Sequence, residues 1–169
     1  MRKNKSKIPV NTMDSTSNLG ISIDRNYIDK SSFETAQQAE EAAQAHRDAG
    51  YTFHILEKGK VVIQIDFKIY HLVAPAVVYL HPDQVHQMMD IDDILVSTLS
   101  LSSEHLNPEY LEILEDLNPG SPLLLETDPS SVISNSFSLC LKFYREKDNN
   151  LYYPLLRDSC NTLCSLLLS

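Results

Sequence analysis

Between Tyr51 and Met89 the apolar residues fall in short runs, cut at near-regular intervals by Lys58-Gly59-Lys60, Asp66-Phe67-Lys68, Ala74-Pro75 and His81-Pro82-Asp83-Gln84. Short β-favouring runs bounded by turn residues predict several strands of a small antiparallel sandwich or barrel. From Lys60 to Phe67 the residues Val61, Ile63 and Ile65 alternate with Val62, Gln64 and Asp66, so one face is built to meet a core. Ala76-Val77-Val78-Tyr79-Leu80 has no polar side, which predicts a strand buried on both faces or lining an apolar cavity. After the turn at Pro82, Gln84 to Met88 begins the return.

The flanks follow other rules. Residues 1–20 are rich in Ser, Asn, Thr and Lys without a hydrophobic period and predict a flexible arm. Ile21-Ser22-Ile23 alternates as a short strand would. Ser31-Ser32-Phe33-Glu34 reads as a capping box opening an Ala- and Glu-rich helix that runs to Ala45 and stops near Gly50, delivering His46-Arg47-Asp48 to the first core strand. Ile94 to Leu101 predicts a further strand, and from Pro108 the period becomes helical. In PEYLEILEDL, Tyr110, Leu111, Leu114 and Leu117 share a side, and Asn118-Pro119-Gly120 is the stop. Asp128-Pro129-Ser130-Ser131 opens a second helix carrying Val132, Ile133, Phe137, Cys140, Leu141 and Tyr144, with Lys147 to Asn150 as its end. A last helix from Tyr152 carries Leu155, Leu156, Cys160, Leu163, Leu166 and Leu167 in one stripe and meets no stop signal before Ser169, which predicts a longer parent chain. That stripe can cover the sheet or pair with a second copy, and homodimerisation is the expectation. The chain thus divides into an arm (1–20), a β-barrel with a preceding helix (21–101) and a helical dimerisation region (102–169).

Composition narrows the chemistry. A length of 169 residues suits one main domain, and a net charge of −9 opposes a direct footprint on nucleic acid. The three cysteines lie in leucine-rich helical sequence and read as reduced thiols of a cytoplasmic protein. MRKNKSKIPV is followed by polar sequence, unlike a secretory signal, and no run approaches the ~18 apolar residues of a membrane span. No Ser/His/Asp order, phosphate-cradling glycine loop or paired-carboxylate motif is present, so no enzymatic activity is expected. Asp90-Ile91-Asp92-Asp93 and Glu112 with Glu115-Asp116 lack the glycine and alternating oxygens of a calcium loop and read as solvated surface.

His46-Arg47-Asp48, Ile65-Asp66-Phe67 with Tyr70, and Pro82-Asp83-Gln84-Val85-His86 occur in the order and spacing of a known pattern. Together they resemble the amino-terminal cupin domain of AraC-type bacterial transcription regulators, especially those of the Bacteroidetes lineage. The helical tail, with NPEYLEILEDL and LYYPLLRDSCNTL, is similar as well. The resemblance implies a mainly β fold with α, a cupin-like double-stranded β-helix (jelly-roll barrel) followed by C-terminal helices. It also implies a domain that binds a small effector, commonly a sugar, and dimerises, with DNA bound through a carboxy-terminal helix-turn-helix domain absent from this chain.

The metal positions of catalytic cupins map onto His46, Asp48, Thr52 and His86, with Gly59 matching the motif's last glycine. Two of the ligand types have changed, and the set lacks a member unless His54 or His81 swings in, so neither metal nor other cofactor is expected. The expected effector site comprises His46, Asp48, Thr52, His54, Gln64, Tyr79, His86 and Met88, each facing in or out according to strand register. Two other readings stand beside this one: a small metal-dependent cupin enzyme, an isomerase or dioxygenase, and a dimerisation module with no ligand.

Overall fold

A computed structural model describes residues 7–12, 20–117 and 130–169. Its strands are β1 (Val10–Asn11), β2 (Ile21–Ile28), β3 (Arg47–Asp48), β4 (Tyr51–Ile65), β5 (Lys68–Val73), β6 (Ala76–Leu80) and β7 (His86–Leu101). The α-helices are α1 (Ala36–Ala42), α2 (Pro108–Asp116), α3 (Ser130–Arg145) and α4 (Tyr152–Leu168).

Two long strands form the spine. β4 and β7 run antiparallel along their whole length, from Tyr51 opposite Leu101 to Ile65 opposite His86. β6 lies along the first half of β4, β5 along its second half, and β2 along the second half of β7. The cut expected at Lys58-Gly59-Lys60 is a bulge within one strand, and the strand expected from Ile94 begins at His86. Gly59 makes the bulge possible. Its φ is +86°, and a Cβ there would lie 2.2 Å from the Asp93 carbonyl oxygen, so no other residue fits without displacing backbone.

The bulge also changes which side chains point inward. Before it, Thr52, His54 and Leu56 face the barrel interior; after it, Val61 and Ile63 do. The ladder shifts register at Leu56/Lys58 and again at Lys58/Lys60, and such an irregularity inverts the alternation downstream. The sheet therefore has two cores. Inside the barrel, Leu56, Ile63, Ile65, Leu72, Ala76, Val78, Leu80, Ile91 and Ile94 pack together. On the opposite face, Ile21, Ile23, Phe53, Ile55, Val77, Tyr79, Leu99 and Leu101 meet the helices. β6 feeds both cores, which explains why it has no polar side.

Local caps differ from the sequence reading. Asp29 caps a 3₁₀ turn at Lys30–Ser32, and α1 opens one turn later, where Thr35 accepts from the Gln38 N–H and Gln38 reaches back to the Thr35 N–H. The box partner is thus glutamine at the third helical position, with no role for Glu34 as cap. α1 stops at Ala42 because the following chain is drawn into the sheet, where His46 and His86 exchange both backbone hydrogen bonds at 2.9 Å. Within the arm, Val10–Asn11 pairs in parallel with β3; residues 1–6 and 13–19 lie outside the described residues.

α2 begins with Pro108 in its first turn, where a missing N–H costs nothing. The stop at Asn118-Pro119-Gly120, and Asp128-Pro129 before α3, lie outside the described residues. The α4 stripe is consumed within the chain: Leu156, Cys160, Leu163 and Leu167 are buried against α3 and the sheet, while Leu155 and Leu166 are half-exposed. Four of the positions expected to pair with a second copy therefore belong to this chain's own core, because the outer sheet face needs an apolar cover. Arg25 ties the layers together. It pairs with Glu57 at 3.0 Å, donates to Ser97 at 2.9 Å and Ser138 at 3.0 Å, and stacks over Phe137.

Candidate functional site

The inward face of β2, β4 and β7 opens on a cavity of about 380 Å³. Its two ends differ because the inward residues do. Ser22, Asp24, Asn26, Thr52, His54, Thr98 and Ser100 make one end polar; Leu56, Val61, Ile63, Leu72, Val78, Ile94 and Val96 make the other apolar. Cross-strand pairing orders the polar end. Thr52 lies opposite Ser100 and shares a hydroxyl hydrogen bond of 2.9 Å, and His54 lies opposite Thr98, with Nδ1 3.0 Å from its hydroxyl. Asn11 and Thr12 of the arm border the same cavity.

β3 and the start of β7 bring in the remaining polar groups. The backbone bridge between His46 and His86 holds their rings with centroids 4.3 Å apart. Asp48 lies among three imidazoles: its carboxylate is 3.7 Å from His46 Nε2, 3.5 Å from His86 Nε2 and 3.9 Å from His54 Nε2. Burial pushes the His86 imidazole down to about 4 against the opposing pull of Asp48, and burial lowers His54 likewise. Both rings are thus neutral near pH 7. Burial raises the Asp24 carboxyl, and a hydrogen bond with Thr98 moderates the effect.

Of the residues expected at the site, His46, Asp48, Thr52, His54, His86 and Met88 line this cavity. Gln64 lies elsewhere, bonded to Gln87 at 3.1 Å, and Tyr79 is on the helix side of the sheet, donating to the Leu114 carbonyl at 3.2 Å. Register decides both: Gln64 neighbours the inward Ile63, and Tyr79 neighbours the inward Val78. His81 is also remote, beside Glu115 at 3.3 Å. The polar wall of β2, with Ser22, Asp24 and Asn26, was missed in the sequence, although its alternation with Ile21 and Ile23 is the signal that finds it. Asp66 and Gln84, carried by the motifs, are structural. Asp66 at the β4–β5 turn accepts from the Val85 N–H at 3.1 Å and from Gln84 at 3.0 Å, locking the turn before β7.

A bent antiparallel sheet with a central cavity on one face and helices on the other is the barrel type expected of a cupin. Residues 32–158 match the family model of the AraC-like ligand binding domain, and the chain belongs to that family. Among solved structures it is similar to a cupin protein from Bacteroides fragilis (15% identity, 49% of this chain and 64% of that one, TM-score 0.33). It is also similar to apo ToxT from Vibrio cholerae (15% identity, 88% of this chain and 56% of that one, TM-score 0.46) and to the AraC-like transcriptional activator CuxR (13% identity, 69% and 42%, TM-score 0.39). The chain thus spans less than two thirds of each of these three proteins. No curated protein matches it in sequence.

Proposed function

We propose that this chain is the sensing half of an AraC-type transcription regulator, a non-enzymatic cytoplasmic domain that binds a small effector in the barrel. The observation that carries this reading is the cavity itself. About 380 Å³ falls in the size range of small-molecule sites, and its walls combine apolar surface with a few convergent polar groups. The effector that fits has a polar head, hydroxylated as in a sugar, against Asn26, Thr98 and Ser100, and an apolar body against Leu56, Val78 and Ile94. Binding acts on the helices by favouring one barrel–helix arrangement, which requires different affinity for the two. Arg25, between cavity residues Asp24 and Asn26 on β2 and bonded to α3, is the side chain through which movement of β2 reaches that helix. DNA is contacted by a separate domain of the parent protein, and two copies pair through the exposed side of α3 and α4.

The test is a thermal-shift screen of polyols, carboxylic acids and aromatic metabolites. One class is expected to raise the melting temperature, with the rise abolished in Asn26→Ala and Thr98→Val and kept in Gln64→Ala, on the other face of the sheet. A response equal in all three variants would place binding outside the cavity.

A further inference from the structure

Around Asp48 the cavity turns hydrogen-bond acceptors towards one another. The Thr98 hydroxyl gives its proton to the Asp24 carboxylate, so towards His54 Nδ1, 3.0 Å away, it accepts. The proton of the neutral His54 ring is therefore on Nδ1, and a lone pair on Nε2 faces Asp48 Oδ2 at 3.9 Å. His46 repeats the arrangement. Its Nδ1 donates to the Gln44 carbonyl at 2.8 Å, and in the neutral ring the Nε2 lone pair faces Asp48 Oδ1 at 3.7 Å. Acceptor thus meets acceptor at both oxygens of one carboxylate, at distances too long for a hydrogen bond. Asp48 Oδ2 is buried with no hydrogen-bond partner among the described residues, and His86, 5% exposed, packs beside the group with its ring centroid 4.3 Å from that of His46. A buried carboxylate without a donor is costly until one arrives.

The charge balance points the same way. The described side chains lining the cavity include two carboxylates, Asp24 and Asp48, and neither a lysine nor an arginine. Arg25 and Arg47 stand next in sequence to cavity residues, but strand alternation turns both away, and Arg25 is committed to Glu57. A carboxylate effector would bring a third negative charge into this enclosure with no cation to meet it. A neutral hydroxyl brings one donor together with its own lone pairs. A primary ammonium brings three donors, no lone pair and a positive charge. Standing about 2.7–3.0 Å from each partner, one such nitrogen bridges acceptors that are themselves 3.7 and 3.9 Å apart.

We propose that the effector is a primary amine, held by its ammonium group between the Asp48 carboxylate and the Nε2 atoms of His46 and His54, with the rest of the molecule lying along the cavity. This rests on the effector reading and fixes the charge of the head. An amino sugar or amino alcohol satisfies the acceptors around Asp48; a plain sugar or a carboxylic acid does not.

The experiment uses the full chain in buffer containing a chelator and compares two matched sets that differ chiefly in the head group: glucosamine, glucose and glucuronate, and phenylethylamine, phenylethanol and phenylacetate. Thermal shift finds the binders and titration calorimetry gives their affinities. The expected result is that an amine raises the melting temperature while its neutral and acidic counterparts do not. Asp48→Asn should weaken that amine at least about tenfold, because the charge-assisted hydrogen bond goes with the charge, and Gln64→Ala should leave it unchanged. His54→Ala, which removes an acceptor and no charge, should weaken it by less. The comparison of head groups on the wild-type chain needs no variant, so the test stands even if Asp48→Asn does not fold. A neutral or acidic member that binds as tightly as its amine, with binding lost in Asn26→Ala, overturns the amine and keeps the effector reading. Amine binding that survives both Asp48→Asn and His54→Ala overturns the placement. No response to any of the three head groups overturns the effector reading and the amine with it.

Discussion

Phe67 occupies the tip of the β4–β5 hairpin with φ of +71°, beside Asp66 at +45°, and is 93% exposed. Both central residues are left-handed, as a tight hairpin turn matching the strand twist requires, and glycine is the residue that adopts this at least cost at the second position. Phe67→Gly is expected to raise stability by about 0.5–1 kcal/mol in urea denaturation. Gly59→Ala should do the reverse, losing about 2 kcal/mol or more, because its Cβ meets the Asp93 carbonyl and its φ is +86°. Tyr51 gives a prediction in pH. Its hydroxyl donates to the Glu115 carboxylate, and burial, followed by that carboxylate, pushes its ionisation up to about 12. A tyrosine raised above its unfolded value near 10 contributes stability that is complete below pH 10 and lost as pH climbs through 12. Tyr51→Phe should therefore cost about 1 kcal/mol at pH 7, and the gap to wild type should close between pH 10 and 12. A constant gap would refute the assignment. Turn positions such as Asp66-Phe67 were legible in the sequence because their chemistry is local. Tyr51 with Glu115 was not, since those partners are 64 residues apart.

The central strands were legible as strands but their extent was not, and the two-residue strands β1 and β3 were not read at all. Lys58-Gly59-Lys60 carries the composition of a turn, yet β7 continues to pair on both sides of it, and the long ladder outweighs the local preference. The consequence reaches the cavity, since the bulge brings Thr52 and His54 to the same interior as Val61 and Ile63. Between elements, the Arg25 contacts to Glu57, Ser97 and Ser138 are partly shielded from solvent and join β2 and β4 to α3. Arg25→Ala is expected to cost about 1–2 kcal/mol and to speed hydrogen exchange in residues 130–145 more than in β4 or β7. Uniform acceleration across the sheet would show that Arg25 serves the whole fold and not this joint.

For the whole molecule, the distribution of leucines along α3 and α4 separates stability from assembly. Leu163 is fully buried, so Leu163→Ala should cost about 2–5 kcal/mol. Leu139 and Leu151 are 48% and 60% exposed and border a groove of about 300 Å³ shared with Pro154 and Leu155. Under the pairing proposed above, Leu139→Arg leaves the melting temperature unchanged and shifts the light-scattering mass toward that of one chain; an unchanged dimer mass would move the pairing surface elsewhere, and a wild-type monomer would overturn the pairing. The stripe read along α4 is a real pattern, and of the two covers open to it the chain's own core takes Leu156, Cys160, Leu163 and Leu167. A periodic apolar face states that something covers it, and the nearer cover here was the sheet of the same chain.

What the sequence determined by itself was local or periodic: the β-rich centre, α2 with its Pro108 start, the two later helices, and the motif residues that lock the turns around Asp66 and Gln84. Alternation of period two depends on neighbours in the chain and needs no knowledge of the fold. Tertiary structure decided everything that depends on register between distant strands. It turned Gln64 and Tyr79 away from the cavity, brought Ser22, Asp24 and Asn26 into it, and set His46, Asp48 and His86 around one point. The physical reason is that a one-residue shift or a single bulge reverses every side chain beyond it, and the free energy that selects the register comes from the two cores formed when the sheet closes.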